Sequence, residues 1–318
     1  MEKPMWVYYI TICNHTHGDG NGRKRWWYLD QTYKENNGVD FSLWDEMVAS
    51  AAEKGFNTLL VTVGDGVKYD SHPEISAPDA VSKEFLKKKL DEARALGLTP
   101  LPKLNFSTQH HCWLKEYRHM VSSQIYRKVC VDLIDELCEL FDQPEYFHLG
   151  MDEETSYDCQ QWNEAAIMRG EKLMFEDFGL MFDACRKNGA RPWIWSDYRW
   201  INPEIFERRM PRDVVQSNWF YSHFADYPET HFYHDAIASY EILDKLGFDQ
   251  LPTASTFSCN ENPYETFAHI KKTVSPEHFL GFVNAPWFNL TPENAFLLRN
   301  NLFAWDWCRK KAESEGIL

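Results

Sequence analysis

The sequence predicts an α/β fold, a single (β/α)8 TIM barrel, on three observations. Short apolar runs alternate with longer amphipathic stretches from end to end, which is the pattern of a parallel sheet with crossover helices. The units number eight in 318 residues, as a closed barrel requires. No glycine-rich phosphate-binding turn follows the first apolar run, which disfavours a doubly wound nucleotide-binding sheet. No linker rich in Pro, Gly or Ser divides the chain, so residues 1–318 read as one domain.

The elements follow in order. Residues 6–12 form the first strand, and a polar, Gly-rich loop covers 15–38. A helix spans 42–54 and ends at Gly55. The second strand is NTLLVTV, 57–63. A helix over 82–96 closes at Gly97, before a third strand at 99–104. The third helix covers 122–141 and leads to the fourth strand, 146–150. A long helical stretch, 161–188, is interrupted near Gly170 and precedes the RPWIW strand, 191–195. A short helix at 203–208, a sixth strand at 213–217 and a helix at 230–246 come next. Strand seven is 250–255, followed by a helix at 263–273 and strand eight at 280–284. Thr291-Pro292 reads as the cap and first residue of a last helix, 291–310.

Composition narrows the partners. Net charge is −15, which argues against nucleic acid and anionic membranes. No segment reaches membrane-spanning length. The apolar stretch 5–13 lacks a cleavage-like site and reads as a strand rather than a leader. The 13 Trp, 15 Tyr and 21 Phe are numerous; rings near strand ends either fill a core or stack on apolar sugar faces. The eight Cys are scattered without CxxC or zinc spacing. They read as free thiols, with Cys130 and Cys138 on the apolar side of the third helix, and suggest a reducing, cytoplasmic setting. Neither a cofactor nor a metal is expected.

Barrel sites lie at the carboxyl ends of the strands, so the residues there form the candidate list. They are Asn14, His15 and His17 after strand one, and Asp65 between two glycines after strand two. Asn105, His110 and His111 follow strand three. Asp197 and Tyr198 follow strand five, beyond Trp195, and Asn218, Trp219 and Tyr221 follow strand six. Thr256 and Asn260 follow strand seven; Trp287 and Asn289 follow strand eight. The fourth strand stands apart. It runs YFHLGMDEETS over 146–156, so an apolar run ends on three consecutive acids. Adjacent carboxylates repel, and burial adds to the cost.

Paired acids among aromatic rings suggest glycoside hydrolysis, which needs a proton donor and a group that stabilises an oxocarbenium-like carbon. Strand eight offers no second carboxylate, and Glu261 lies beyond strand seven. Neighbours such as Asp152 and Glu153 do not flank one sugar carbon easily. They suit a substrate-assisted scheme, in which one carboxylate holds an acetamido group that attacks its own anomeric carbon and the other supplies the proton. Glu154 is then expected to face solvent or to pair with an Arg or Lys. His148 reads equally as a core histidine and as a pocket residue. Asp65 reads as a turn residue or a ligand contact, and Asn105 and Asp197 as loop braces or sugar contacts.

The run His148-Leu149-Gly150-Met151-Asp152-Glu153 resembles the H-x-G-G/x-D-E signature at the end of the fourth strand in glycoside hydrolase family 20, the β-N-acetylhexosaminidases. The resemblance implies a (β/α)8 barrel acting on a carbohydrate substrate bearing terminal β-linked N-acetylhexosamine. It implies that Asp152 orients the 2-acetamido group and that Glu153 is general acid, then base. Trp195, Trp219 and Trp287 would wall the sugar, and Tyr221 would contact the acetamido oxygen. Two positions depart from the family pattern: no Arg follows strand one, where Cys13-Asn14-His15 stands, and Asn289 occupies the place of a Glu after strand eight. Three alternatives remain open. One is a carbohydrate-binding barrel without catalysis. Another is a glycosidase for sugars without an acetamido group, with Asp197 or Glu261 as nucleophile. The third is a metal-dependent amidohydrolase, suggested by His15-x-His17 but lacking a His directly after strands five and six; His223 lies five residues past the sixth.

Overall fold

The computed structural model describes residues 4–13, 35–154, 167–226 and 232–318. Asn14, His15, His17 and Cys159, the start of the helical stretch predicted at 161–188 and the first two residues of that at 230–246 lie outside them.

Eight strands form one parallel sheet. They are β1 (Met5–Thr11), β2 (Thr58–Thr62), β3 (Thr99–Lys103), β4 (Tyr146–His148), β5 (Arg191–Trp195), β6 (Val215–Ser217), β7 (Thr253–Ala254) and β8 (Gly281–Asn284). Their order is β6-β5-β4-β3-β2-β1-β8-β7. Bridges Gln216↔Gln250 and Trp219↔Thr253 join the two ends and close the barrel. The helices are α1 (Phe41–Glu53), α2 (Lys83–Ala95), α3 (Gln124–Leu140), α4 (Glu171–Lys187), α5 (Tyr198–Ile201), α6 (Pro203–Arg209), α7 (Phe232–Lys245), α8 (Asn262–Thr273) and α9 (Ala295–Ser314). Among the described residues, no helix is long and apolar enough to cross a membrane.

Burial on both faces explains the strand composition. Alternate residues face inward and outward. Val7, Tyr9, Leu60, Leu101, Trp193, Val215, Leu251 and Val283 pack together inside the barrel. Tyr8, Ile10, Leu59 and Val61 pack outward against the helices. By this alternation Lys103, His148 and Trp195 point inward near the top. The β3–β4 register pairs Lys103 with His148.

Helix starts follow side-chain capping. Asp40 accepts from the Ser42 and Leu43 N–H groups, Ser82 from Phe85 and Ser123 from Tyr126. The seven described cysteines are free and buried; Cys130 and Cys138 lie on the buried side of α3.

Three local readings are corrected. Thr291-Pro292 opens a single 3-10 turn (Pro292–Asn294), and Thr291 makes no side-chain cap bond; the α-helix starts at Ala295. Strand seven shrinks to Thr253–Ala254, because its ladder pairing is limited to two residues of β8 and it meets the β6 side only through isolated bridges. A second short helix, α5, precedes α6; four residues carry too little periodicity to be seen in sequence.

Candidate active site

The chain leaves β4 through an unusual backbone. Gly150, Met151 and Glu153 have φ of 73°, 74° and 58°. A non-glycine residue in this region is strained and persists only where its surroundings enforce it. Here Asn105, just beyond β3, does the enforcing. Its Oδ1 accepts the Met151 N–H at 3.2 Å and the Ser107 N–H at 3.1 Å, and its Nδ2 donates to Asp152 Oδ1 at 2.8 Å. A Cβ at position 150 would stand 2.0 Å from Asn105 Oδ1, so only glycine fits beneath this side chain. The Ser107 hydroxyl donates to the Asp152 carbonyl.

The contorted path sorts the three acids. Asp152 and Glu153 turn to one point: His110 Nε2 lies 3.3 Å from Asp152 Oδ2 and 3.2 Å from Glu153 Oε2. Glu154 turns the other way. Its Oε2 accepts from Arg169 Nη2 at 2.6 Å and its Oε1 from Arg169 Nε at 2.9 Å. Arg169 in turn reaches Asp177 on α4 at 3.2 Å. Glu154 therefore has the Arg partner expected of it, but its side chain is only 3% exposed; it is bonded into the barrel wall rather than facing solvent.

The charges are arranged asymmetrically. Burial would raise the Asp152 carboxyl, but His110, Lys103 and the Asn105 amide outweigh it and hold it well below the usual carboxylate range. Burial opposes charge on His110, yet Asp152 and Glu153 push it up to about 10. Asp197 goes the opposite way: burial first, then the negative Asp152, raise it well above the ordinary value. Its Oδ2 accepts the Glu153 N–H at 2.7 Å. Two acids in one site thus have their affinities for protons driven apart by their surroundings.

Beneath the acids is the top interior layer of the barrel. Lys103 is fully buried, and burial pulls it down to about 8 despite the attraction of Asp152. Its Nζ lies 5.6 Å from the Tyr9 ring centroid and 5.8 Å from that of Trp195. His148 sits between Trp193 and Trp195, with centroid distances of 4.6 and 4.4 Å. Its Nδ1 accepts the Gly150 N–H at 2.9 Å. Burial and the nearby Lys103 keep it neutral.

The aromatic candidates come together. Trp195 and Trp287 lie 5.6 Å apart, Tyr221 and Trp287 5.9 Å, and Tyr221 stacks on Trp219 at 5.2 Å. Trp219, Tyr221 and Trp287 are half-buried, whereas Trp195 is buried. Burial first, then the neighbouring Tyr240, Asp152 and Glu153, push the Tyr221 hydroxyl well above its ordinary value. Two candidates stand differently. Asp65 is fully buried after β2, where burial raises it to about 7 and the Asn37 amide and Lys115 oppose that rise. Asn289 is half-buried; its carbonyl accepts from Asn294 Nδ2 and the Thr291 N–H, and its side chain makes no hydrogen bond to the acid pair.

Sequence reasoning noted His110 only as one group after strand three and missed Lys103. Lys103 has a visible signal, a cation at the end of the otherwise uncharged strand TPLPK. His110 has none, since its reach to both acids depends on the path of the loop after β3.

Among solved structures, the chain resembles a chitobiase from Flavobacterium johnsoniae (TM-score 0.63, 16% identity), covering 87% of this chain and 48% of that one. It resembles a β-N-acetylhexosaminidase from Bacteroides fragilis (TM-score 0.59, 14% identity) over 99% of this chain and 70% of that one. Dispersin B matches at a TM-score of 0.58 and 12% identity, over 96% and 98% of the two chains. The chain thus spans about half the length of the chitobiase and nearly all of Dispersin B. No protein-family model and no curated protein sequence matches. These likenesses show the fold, a (β/α)8 barrel like that of these structures.

Proposed function

We propose that this chain is a glycoside hydrolase acting on terminal β-linked N-acetylhexosamine or a close analogue, by a substrate-assisted, retaining mechanism. The observation that carries the reading is the convergence of Asp152 and Glu153 on His110 Nε2, at 3.3 and 3.2 Å, beside half-buried aromatic rings. The similar structures, a chitobiase and a β-N-acetylhexosaminidase, support the same substrate class.

The residues divide the work as follows. Asp152, held ionised by His110 and Lys103, accepts from the acetamido N–H and orients the carbonyl oxygen toward the anomeric carbon. Glu153, with its side chain 31% exposed, is the accessible partner. In its protonated form it gives its proton to the leaving oxygen as the glycosidic bond breaks and the acetamido oxygen bonds to the anomeric carbon. The positive charge on the cyclised group lies against Asp152. Glu153, now a carboxylate, then takes a proton from the water that opens the ring. Asp197, whose carboxyl burial pushes well above the ordinary value, braces the Glu153 backbone through its Oδ2. Trp195 and Trp287 supply apolar surface, and Tyr221 a hydroxyl for the acetamido oxygen.

Parallel assays with chromogenic β-N-acetylglucosaminide, β-N-acetylgalactosaminide, β-glucoside and β-galactoside test this reading. Cleavage confined to the acetamido sugars is expected. Cleavage of plain glycosides alone would transfer the nucleophile's role to another carboxylate and overturn the scheme.

A further inference from the structure

The barrel is pinned least between β6 and β7, where isolated bridges replace a continuous ladder. Three side chains from the loops above that seam meet: His223, from the loop after β6, and Cys259 and Glu261, from the loop after β7. Their ligating atoms all lie within 4.8 Å of one another. His223 Nε2 is 3.3 Å from Cys259 Sγ, and Sγ is 3.5 Å from Glu261 Oε2.

We propose that His223, Cys259 and Glu261 form a zinc(II) site that staples the β6 and β7 loops together. With Zn–S of about 2.3 Å and Zn–N or Zn–O of about 2.0–2.2 Å, neighbouring ligands of a tetrahedral ion stand about 3.5 Å apart. The His223–Cys259 and Cys259–Glu261 spacings, 3.3 and 3.5 Å, agree within a few tenths of an ångström, and His223 and Glu261 lie within 4.8 Å of each other. A thiolate, an imidazole and a carboxylate form a ligand set suited to zinc, with the fourth position left for water. The thiolate and carboxylate together balance the charge of the ion. As the Zn–S bond forms, the thiol proton leaves to solvent.

A further carboxylate orients the histidine. Nδ1 of His223 lies 2.7 Å from Glu265 Oε1 on α8, and Glu265 Oε2 accepts the Phe224 N–H at 2.8 Å. A carboxylate only accepts, so Nδ1 carries the proton and Nε2 keeps its lone pair. This is the carboxylate–histidine–metal arrangement that sets ring orientation at zinc sites. The sulfur also lies 3.6 Å from Nδ1, beside the ring between its nitrogens. The half-exposed His223 side chain has room to adjust as the ion binds. Asn262 already ties the same loops, donating to the Phe220 and Ser222 carbonyls at 2.8 and 3.0 Å. Trp219 and Tyr221 stand on the loop so held, so the ion would steady one wall of the mouth without touching the acid pair.

The purified full chain is loaded with zinc chloride, dialysed against metal-free buffer and assayed for metal. About one equivalent per chain is expected, with most of it lost in Cys259→Ser and in Glu261→Gln. Glu261 is exposed, so the second variant keeps the test open if the first does not fold. Glu265→Gln is expected to weaken zinc affinity about 10- to 100-fold. Cobalt(II) in place of zinc is expected to give a thiolate-to-metal charge-transfer band that vanishes in Cys259→Ser. Substoichiometric zinc, or equal retention by the wild type and both ligand variants, would overturn the proposal.

Discussion

The Glu153 main-chain N–H donates to Asp197 Oδ2 at 2.7 Å, so the tip of β4 is held by a buried residue from the end of β5. Removing the acceptor leaves that N–H without its partner and frees the peptide that carries Glu153. Asp197→Ala is expected to cost about 1–3 kcal/mol in urea unfolding and to lower kcat more than it changes KM. Asp197→Asn, which keeps an acceptor oxygen, is expected to retain most of both. Equal losses in the two variants would mean that the carboxyl itself, rather than the brace, matters.

Asp152 and Glu153 are assigned different tasks, and leaving groups separate them. Glu153→Gln is expected to lose about 10²- to 10⁴-fold in kcat on substrates with poor leaving groups and much less on activated aryl glycosides. Asp152→Asn is expected to lose activity on both, since attack by the acetamido oxygen accompanies departure of either group. Steady-state kinetics on a series of aryl β-N-acetylglucosaminides would check this. A leaving-group dependence carried by Asp152 instead would reverse the assignments.

His110 gives a pH dependence with a definite sign. Its folded value, about 10, lies above its ordinary 6.5. The folded chain therefore holds the proton more tightly than the unfolded chain. That stabilisation is complete below about pH 6.5 and is lost as pH rises through 10. Relative to His110→Gln, the wild type is expected to be more stable by a few kcal/mol at pH 6, with the gap closing toward pH 10. Urea unfolding of both proteins at several pH values reads this directly; a gap that widens with pH would contradict it.

The Arg169 side chain is fully buried between Glu154 and Asp177. Arg127 Nε and the Ser122 hydroxyl also bond Asp177, at 2.7 and 2.6 Å. Arg169→Met leaves Glu154 in the barrel wall without its countercharge, and about 3–5 kcal/mol of stability is expected to be lost. Arg169→Met combined with Glu154→Leu is expected to recover part of it. Chemical denaturation of the single and double variants would separate the pair from the fold.

What is legible in the sequence here, and what is not, follows from range. The strand and helix alternation is local, so all eight strands lie close to their predicted positions, and Gly150 with Asp152 and Glu153 stands out within six residues. The direction of each acid is not local. It depends on Asn105, which bonds Met151 and Asp152 from 46 and 47 positions upstream, on His110 from the same loop after β3, and on Arg169 from the loop before α4. His148 has both of its readings open in sequence; its place between Trp193 and Trp195 follows from inward alternation on β4 and β5, which needs the register. The His223, Cys259 and Glu261 cluster has no sequence spacing at all, since its members come from two loops joined only by barrel closure.

The central claim is that Asp152 and Glu153 act on one acetamido sugar whose own carbonyl is the nucleophile. Calorimetric titration with a thiazoline mimic of the cyclised N-acetylglucosamine intermediate tests it most directly, on the wild type and on Asp152→Asn. The account predicts tight binding to the wild type, weakened about 10- to 150-fold in the variant, the value of one hydrogen bond to a charged group. No binding to the wild type, or equal affinity for both proteins, would contradict it.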